Sequence, residues 1–198
     1  MNKYVKHSLH YTLLVMFALS PFIEAKPSFS YGLTTGTSSW GIGVNALFEK
    51  TETFSWIADI RFYDIKGEHE FSLQSQYGGT YSFNEQSLIF FPMFAGIRKS
   101  LFHEKIDNNF IPFVETMAGA VFVMDGDESV EGFFSRWKQA PSYLSAGGYI
   151  GGGVLFWFPN QSTITIRAGI DILPMFREID GKTTYHGAVV QILFNRQK

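Results

Sequence analysis

The chain has no cysteine among its 198 residues. Disulfides, thiolate metal sites and a cysteine-linked lipid anchor are therefore all excluded. Charged residues make up only 17% of the sequence and nearly balance, at a formal −2, so it lacks the basic surface that nucleic acid requires. Beyond the first 25 residues, no apolar run reaches the ~18 residues that mark a membrane-crossing helix. No stretch sustains the 3.6-residue period of an amphipathic helix either. Only a closed β-barrel, which pairs all its backbone groups internally, is left as a way for such a chain to cross a bilayer.

Residues 1–25 are different in kind. Lys3 and Lys6 form a basic start, Tyr11 to Ile23 an apolar stretch, and Ala25 a small residue at its end, the pattern of a cleavable secretory signal. Pro21 and the shortness of the apolar run argue against a membrane-anchoring helix. Residues 26–198 then form one domain. Loss of Lys3, Lys6 and Glu24 moves its formal charge from −2 to −3.

Within that domain, period-2 alternation predicts eight strands: Ser28–Thr35, Trp40–Glu49, Thr53–Tyr63, Leu88–Leu101, Phe110–Val123, Ser145–Phe158, Thr163–Leu173 and Thr184–Phe194. The seventh shows the pattern most clearly. Ile164, Ile166, Ala168, Ile170 and Ile172 occupy one side; Thr165, Arg167, Gly169 and Asp171 occupy the other. Connections alternate in length: 50–52, 102–109 and 159–162 are short, whereas 64–87, 124–144 and 174–183 are longer and only 36–39 is tight on their side. Short turns at one end and long loops at the other are the connectivity of an up-and-down membrane barrel.

Which face points inward follows from three arginines. Arg61, Arg98 and Arg167 share the parity of most of the glycines, together with Asn45, Gln191 and the acids Glu49, Asp59, Glu115 and Asp171. The opposite parity collects Phe29, Tyr31, Trp40, Ile42, Trp56, Ile60, Phe62, Phe122, Ile192 and Phe194. Turning the arginines to lipid costs roughly 2–4 kcal/mol each near the midplane, so they belong in the lumen. A barrel of about eight strands has room inside only for side chains, and inward glycines make space for the larger ones. The predicted site is thus an ion-pair network of Glu49, Asp59, Arg61, Arg98, Glu115, Arg167 and Asp171 that fills the lumen, since unpaired charge there is costly. A soluble lipocalin-like binder, also eight-stranded, needs the reverse polarity. Two positions strain the scheme. Pro92 falls inside the fourth strand and predicts a bulge or a late strand start; Lys99 has outward parity but sits near a strand end, where it can snorkel.

The segment Phe91-Pro92-Met93-Phe94-Ala95-Gly96-Ile97-Arg98, followed after a turn by Ile111-Pro112-Phe113-Val114 and Gly119, resembles the small bacterial outer-membrane β-barrel superfamily with OmpA-, OmpX- and OmpW-like domains. Met117 and Glu115 depart from that pattern. The resemblance implies an all-β, eight-stranded antiparallel up-and-down transmembrane barrel in the bacterial outer membrane. It also implies handling by the barrel assembly machinery, with Phe194 as the aromatic near the end.

Other chemistry is thinly represented. Asp125-Gly126-Asp127-Glu128 lacks the ligand spacing of a calcium loop, Gly147 to Gly153 lacks the Lys-Ser/Thr of a phosphate loop, and His69-Glu70 and His103-Glu104 lack a second histidine. No catalytic, cofactor or metal residue is predicted. A lipid A-modifying enzyme needs Ser, His and an acid on one face, for which Ser145 and His186 are the nearest pair. The expected function is structural or anchoring, with a plugged lumen. Outer-membrane lipid surrounds the barrel, and segments 64–87 and 124–144, rich in aromatics, are expected to meet an extracellular partner. A narrow passive channel is the alternative, and the enzyme ranks behind it.

Overall fold

Alternating sequence builds strands because successive side chains leave opposite faces of a pleated backbone. In the computed structural model these are β1 (Ser28–Gly36), β2 (Ser39–Glu49), β3 (Phe54–Lys66), β4 (Phe71–Gln74), β5 (Thr80–Phe83), β6 (Gln86–Ser100), β7 (Phe110–Asp127), β8 (Ser142–Trp157), β9 (Ser162–Ile172), β10 (Pro174–Ile179), β11 (Lys182–Thr184) and β12 (Gly187–Arg196). The structure describes residues 27–37, 39–66, 71–74, 80–83, 86–102, 109–127, 135, 137–138, 140–159, 162–179 and 181–196; the segment read as a secretory signal lies outside them.

Eight of the strands close on themselves in the order β1-β12-β9-β8-β7-β6-β3-β2, every neighbour antiparallel. The register fixes the width. From Tyr31, partners run one way through Val44, Ile60, Met93 and Ala120 to Ala146 of β8; the other way they run through Phe194 and Ile164 to Phe156 of the same strand. The two arrivals lie ten residues apart on β8, a stagger that tilts strands ~4.8 Å apart by roughly 40°. At that tilt eight strands leave a lumen that side chains can fill.

The seam between first and last strands is tied at both ends. Thr37 N donates to Ala188 O at 3.0 Å and Ala188 N to Thr37 Oγ1 at 3.1 Å, while Asn195 Nδ2 donates to Ser28 Oγ at the other end.

Sidedness is as the alternation requires. Phe29, Tyr31, Leu33, Trp40, Ile42, Ile60, Ile150, Ile170 and Ile192 stand exposed on the outer wall, whereas Arg61, Arg98 and Arg167 are buried. Near the long-loop end, the outward rings of Phe62, Phe91 and Phe122 follow one another round the wall, with centroids 5.2 and 6.3 Å apart. Lys99 is exposed at the foot of β6. A lipid environment satisfies this surface, with aromatics at the edges of an aliphatic band.

Three expectations need correction. Pro92 causes neither bulge nor late start. β6 keeps one register with β7 from Gln86↔Asp127 to Ser100↔Phe113, and its pairing with β3 only lapses between Ile60↔Met93 and Tyr63↔Phe90 before resuming in the same register. A proline removes one donor, and a ladder held on both sides of it absorbs the loss. The long connections are also partly strand: β3 pairs with β6 as far as Lys66↔Ser87, and a hairpin, β4–β5, lies within 64–87. Finally, the last barrel strand begins at Gly187, because Lys182–Thr184 pairs with β10 as a second hairpin turning at Gly181, whose φ of 71° suits glycine. His186 therefore lies between strands.

Placing Arg at position 60, near the middle of the outward face of β3, should destabilise the barrel in lipid vesicles by about 2–4 kcal/mol in denaturant titration. An unchanged midpoint for Ile60→Arg would mean that this wall does not face lipid.

Candidate functional site

The inward charges form one chain of alternating sign across the lumen. Asp171 Oδ1 accepts from Arg61 Nη1 at 2.6 Å, and Arg61 Nε donates to Asp59 Oδ2. Asp59 Oδ1 accepts from Arg167 Nη2 at 2.5 Å, and Arg167 Nη1 donates to Glu115 Oε1 at 2.8 Å. Glu115 Oε2 then accepts from Arg98 Nε at 2.9 Å. Three acids and three arginines alternate, so the chain is neutral, and each inner carboxylate uses its two oxygens on two different arginines. The links cross between β9 and β3, β3 and β9, and β9 and β7, so the barrel is braced across its interior as well as around its wall. All six residues are at most 5% exposed.

Neutral groups complete the set. Tyr63 OH donates to Asp171 Oδ2 at 2.7 Å and accepts from Arg61 Nη1 at 2.9 Å, while Gln191 Oε1 accepts from Arg167 Nε. Aromatic faces carry the guanidinium planes: Arg61 and Arg167 lie 4.7 and 5.5 Å from the centroid of Tyr149, and Arg98 lies 3.9 Å from that of Phe113. Such contacts matter most where the cation is desolvated. Glycine makes the rings fit. A Cβ on Gly169 would stand 2.7 Å from Cε2 of Tyr149, and one on Gly153 would stand 2.8 Å from Cζ of Phe113.

Of the residues predicted from sequence, Asp59, Arg61, Arg98, Glu115, Arg167 and Asp171 come together; Glu49 does not. It has the inward parity but ends β2, where it is exposed and lines a cavity of about 320 Å3 at the short-turn end beneath Arg98. Water solvates it there, so nothing forces it to pair. Tyr63, Tyr149 and Phe113 were missed, because a polar lumen was expected. For Tyr149 the available signal was an aromatic at inward parity with glycines two residues away on both sides, as in Gly147-Gly148-Tyr149-Ile150-Gly151; Tyr63 and Phe113 carry no such mark.

At the long-loop end a second cavity, of about 160 Å3, is floored by Tyr63 and Asp171 and bordered by Lys182, Tyr185 and His186. The ion chain separates the two. Above it the lumen turns apolar: Ile65, Leu88, Phe90 and Val123 meet Leu173, Met175 and Ile179 from the hairpin β10–β11 and its approach, so the hairpin caps the mouth. Tyr185 pins it, donating from OH to Ile179 O at 2.7 Å and stacking edge-on against Phe90 at 4.9 Å. Ser145 and His186 are engaged separately: Ser145 Oγ donates to Pro174 O at 2.5 Å, and His186 Nδ1 accepts from Leu173 N at 2.9 Å. Neither orients the other. Among the described residues no cluster of His, Cys, Asp and Glu is arranged to hold a metal ion.

A closed eight-stranded barrel, apolar outside and charged within, defines the class: the fold of the small bacterial outer-membrane β-barrels. Solved structures of that kind are similar to it. Neisserial surface protein A matches with a TM-score of 0.57 at 8% identity, covering 86% of this chain and 96% of that one. The attachment invasion locus protein Ail of Yersinia pestis matches at 0.48, with 13% identity over 87% of this chain and 99% of that one. The N-terminal barrel domain of Pseudomonas aeruginosa OprF gives 0.44, with 10% identity over 87% and 99%. No family model matches the sequence, and no curated protein sequence does. At these identities the likeness is one of fold.

Removing one member of the buried chain strands its neighbours. Arg167→Ala leaves Asp59 and Glu115 each short of a partner and should cost about 3–5 kcal/mol in denaturant titration, and Arg98→Ala and Glu115→Ala should each lower the midpoint. Wild-type midpoints for all three would contradict the bracing role.

Proposed function

We propose that this protein is an integral barrel of the bacterial outer membrane whose task is structural or anchoring, with the lumen permanently filled and external contacts made from the long-loop end. One observation carries the reading: the alternating chain from Asp171 to Arg98 lies between the two cavities, each ion held by an oppositely charged neighbour. Carrying an ion past it means separating buried pairs in a medium of low dielectric constant, where one broken pair costs several kcal/mol. The hairpin cap at the mouth adds a second obstruction.

A narrow passive channel is the runner-up, favoured by the way the cavities approach the chain from both ends. A lipid A-modifying enzyme is supported less, since Ser145 and His186 are each bonded to backbone and not to one another.

Contacts beyond the membrane fall to segments 64–87 and 124–144. Much of both lies outside the described residues; within the first, β4 and β5 pair Phe71 with Phe83 and Leu73 with Tyr81. These aromatic-rich segments suit contact with an extracellular partner. During assembly, the barrel assembly machinery is the expected partner of the last strand, where Phe194 lies on the outer face.

The test is conductance. Refolded protein in planar bilayers should give no steady single-channel current, and loop-deleted protein should lose any cell-surface binding that the intact protein shows. A steady unitary conductance in the wild type would replace the plug with the channel.

A further inference from the structure

The foot of the seam opens on the outer wall. The ladder between β1 and β12 runs from Gly36↔Val189 to Tyr31↔Phe194 and stops there, whereas β12 continues against β9 as far as Arg196↔Ser162. Below Tyr31 the seam is held from the lumen side by the Asn195–Ser28 bond. Outside it lies a groove of about 310 Å3. Tyr31, Phe194 and Ile164 line it as one register row, Arg196 and Ser162 as the next outward row, and Phe158 closes it beside the short turn, where its N donates to Ser162 O at 3.0 Å. Short turns face the periplasm in barrels of this kind, so the groove continues the lipid-facing wall and ends at its periplasmic edge. Arg196 stands two residues beyond Phe194, about 6.8 Å along the strand; at a tilt of roughly 40° that is about 5 Å closer to the periplasm. Its side chain is exposed, and among the described residues no acid lines the groove. The rings of Tyr31, Phe158 and Phe194 are exposed above it.

We propose that this groove binds one phospholipid of the periplasmic leaflet whose headgroup carries net negative charge, as phosphatidylglycerol does. Its phosphate sits on the Arg196 guanidinium, and the upper part of an acyl chain lies along Phe194, Tyr31 and Ile164. Each half of the ligand has its reason. A guanidinium is a planar fork that meets phosphate oxygens two at a time, and its stem lets it reach the headgroup level from an apolar wall. The row above offers rings and an aliphatic side chain at the height where aromatics border a bilayer, which suits an acyl chain and gives a free phosphate nothing. Net charge selects among headgroups: the ammonium of an ethanolamine headgroup would find no carboxylate in the groove to receive it. Bound there, the lipid covers the seam where its ladder stops and touches β1, β12 and β9 together.

The test is native mass spectrometry of the refolded full chain, released from micelles that hold phosphatidylglycerol and phosphatidylethanolamine in equal amounts with the same acyl chains. The expected result is one retained lipid, with phosphatidylglycerol favoured roughly fivefold, the ratio that a single surface cation sustains. Arg196→Gln should abolish the preference and Arg196→Lys restore part of it, while Arg177→Gln, an exposed position at the long-loop end, should keep it. Equal retention of the two lipids, a wild-type preference in Arg196→Gln, an equal loss in Arg177→Gln, or displacement of the lipid by excess glycerol phosphate would overturn the proposal. A second arm needs no variant. Phosphatidylglycerol bearing a diazirine near the ester end of one acyl chain, present in trace in phosphatidylethanolamine vesicles, should crosslink to the wild type at Tyr31, Phe158, Ile164 and Phe194. Label spread evenly round the wall would contradict the site.

Discussion

Pairing of buried charge inside a narrow closed wall is the constraint on which the rest of the structure depends. Ten residues of stagger over eight strands fix a lumen that side chains must fill. Once Arg61 and Arg167 occupy it, each needs carboxylates within reach, and a carboxylate that lies between two arginines must serve both. Asp59 meets this demand by binding both, and Glu115 by joining Arg167 to Arg98. Taken singly, buried ion pairs are poor stabilisers, because desolvation offsets their attraction. Their effect here is one of specificity. A strand slipped by one residue would turn an arginine to lipid and leave an acid alone in the lumen.

Packing follows from the same demand. Guanidinium planes need flat partners, which Tyr149 and Phe113 supply. Those rings in turn need room at the wall, so glycines lie beneath them on neighbouring strands. The composition of the chain, rich in glycine and aromatics with modest charge, is that of a barrel whose inner volume is shared among rings, guanidiniums and bare backbone. Above the charged layer the lumen is filled by apolar residues, which the β10–β11 hairpin covers.

Much of this architecture was legible from period-2 alternation, because membrane and lumen differ so sharply that strand parity decides the face. The cost of Arg61, Arg98 and Arg167 in lipid was enough to choose between the two parities. What parity does not carry is height along the strand, which is why Glu49 shared the inward side yet stands in solvent at the end of β2. Nor does it say what a lumen must contain, so parity alone does not mark Tyr63 and Tyr149 as the partners of the arginines. Pro92 suggested a break because a lost donor looks serious in one strand; the neighbouring pairs on both sides hold the register. The β10–β11 hairpin had a local sign in Asp180-Gly181, a turn pair that matches a two-residue hairpin, hidden inside a stretch read as loop.

The central claim, that the barrel is braced through its lumen by one coupled chain of ions, is tested most directly by a double-mutant cycle. Arg167→Met and Asp59→Asn would be made singly and together, and unfolding free energies measured in lipid vesicles. A coupled pair in contact gives an interaction energy of about 0.5–3 kcal/mol, and the shared, buried carboxylate predicts a value in the upper half of that range. Additive single effects, with coupling near zero, would contradict the account.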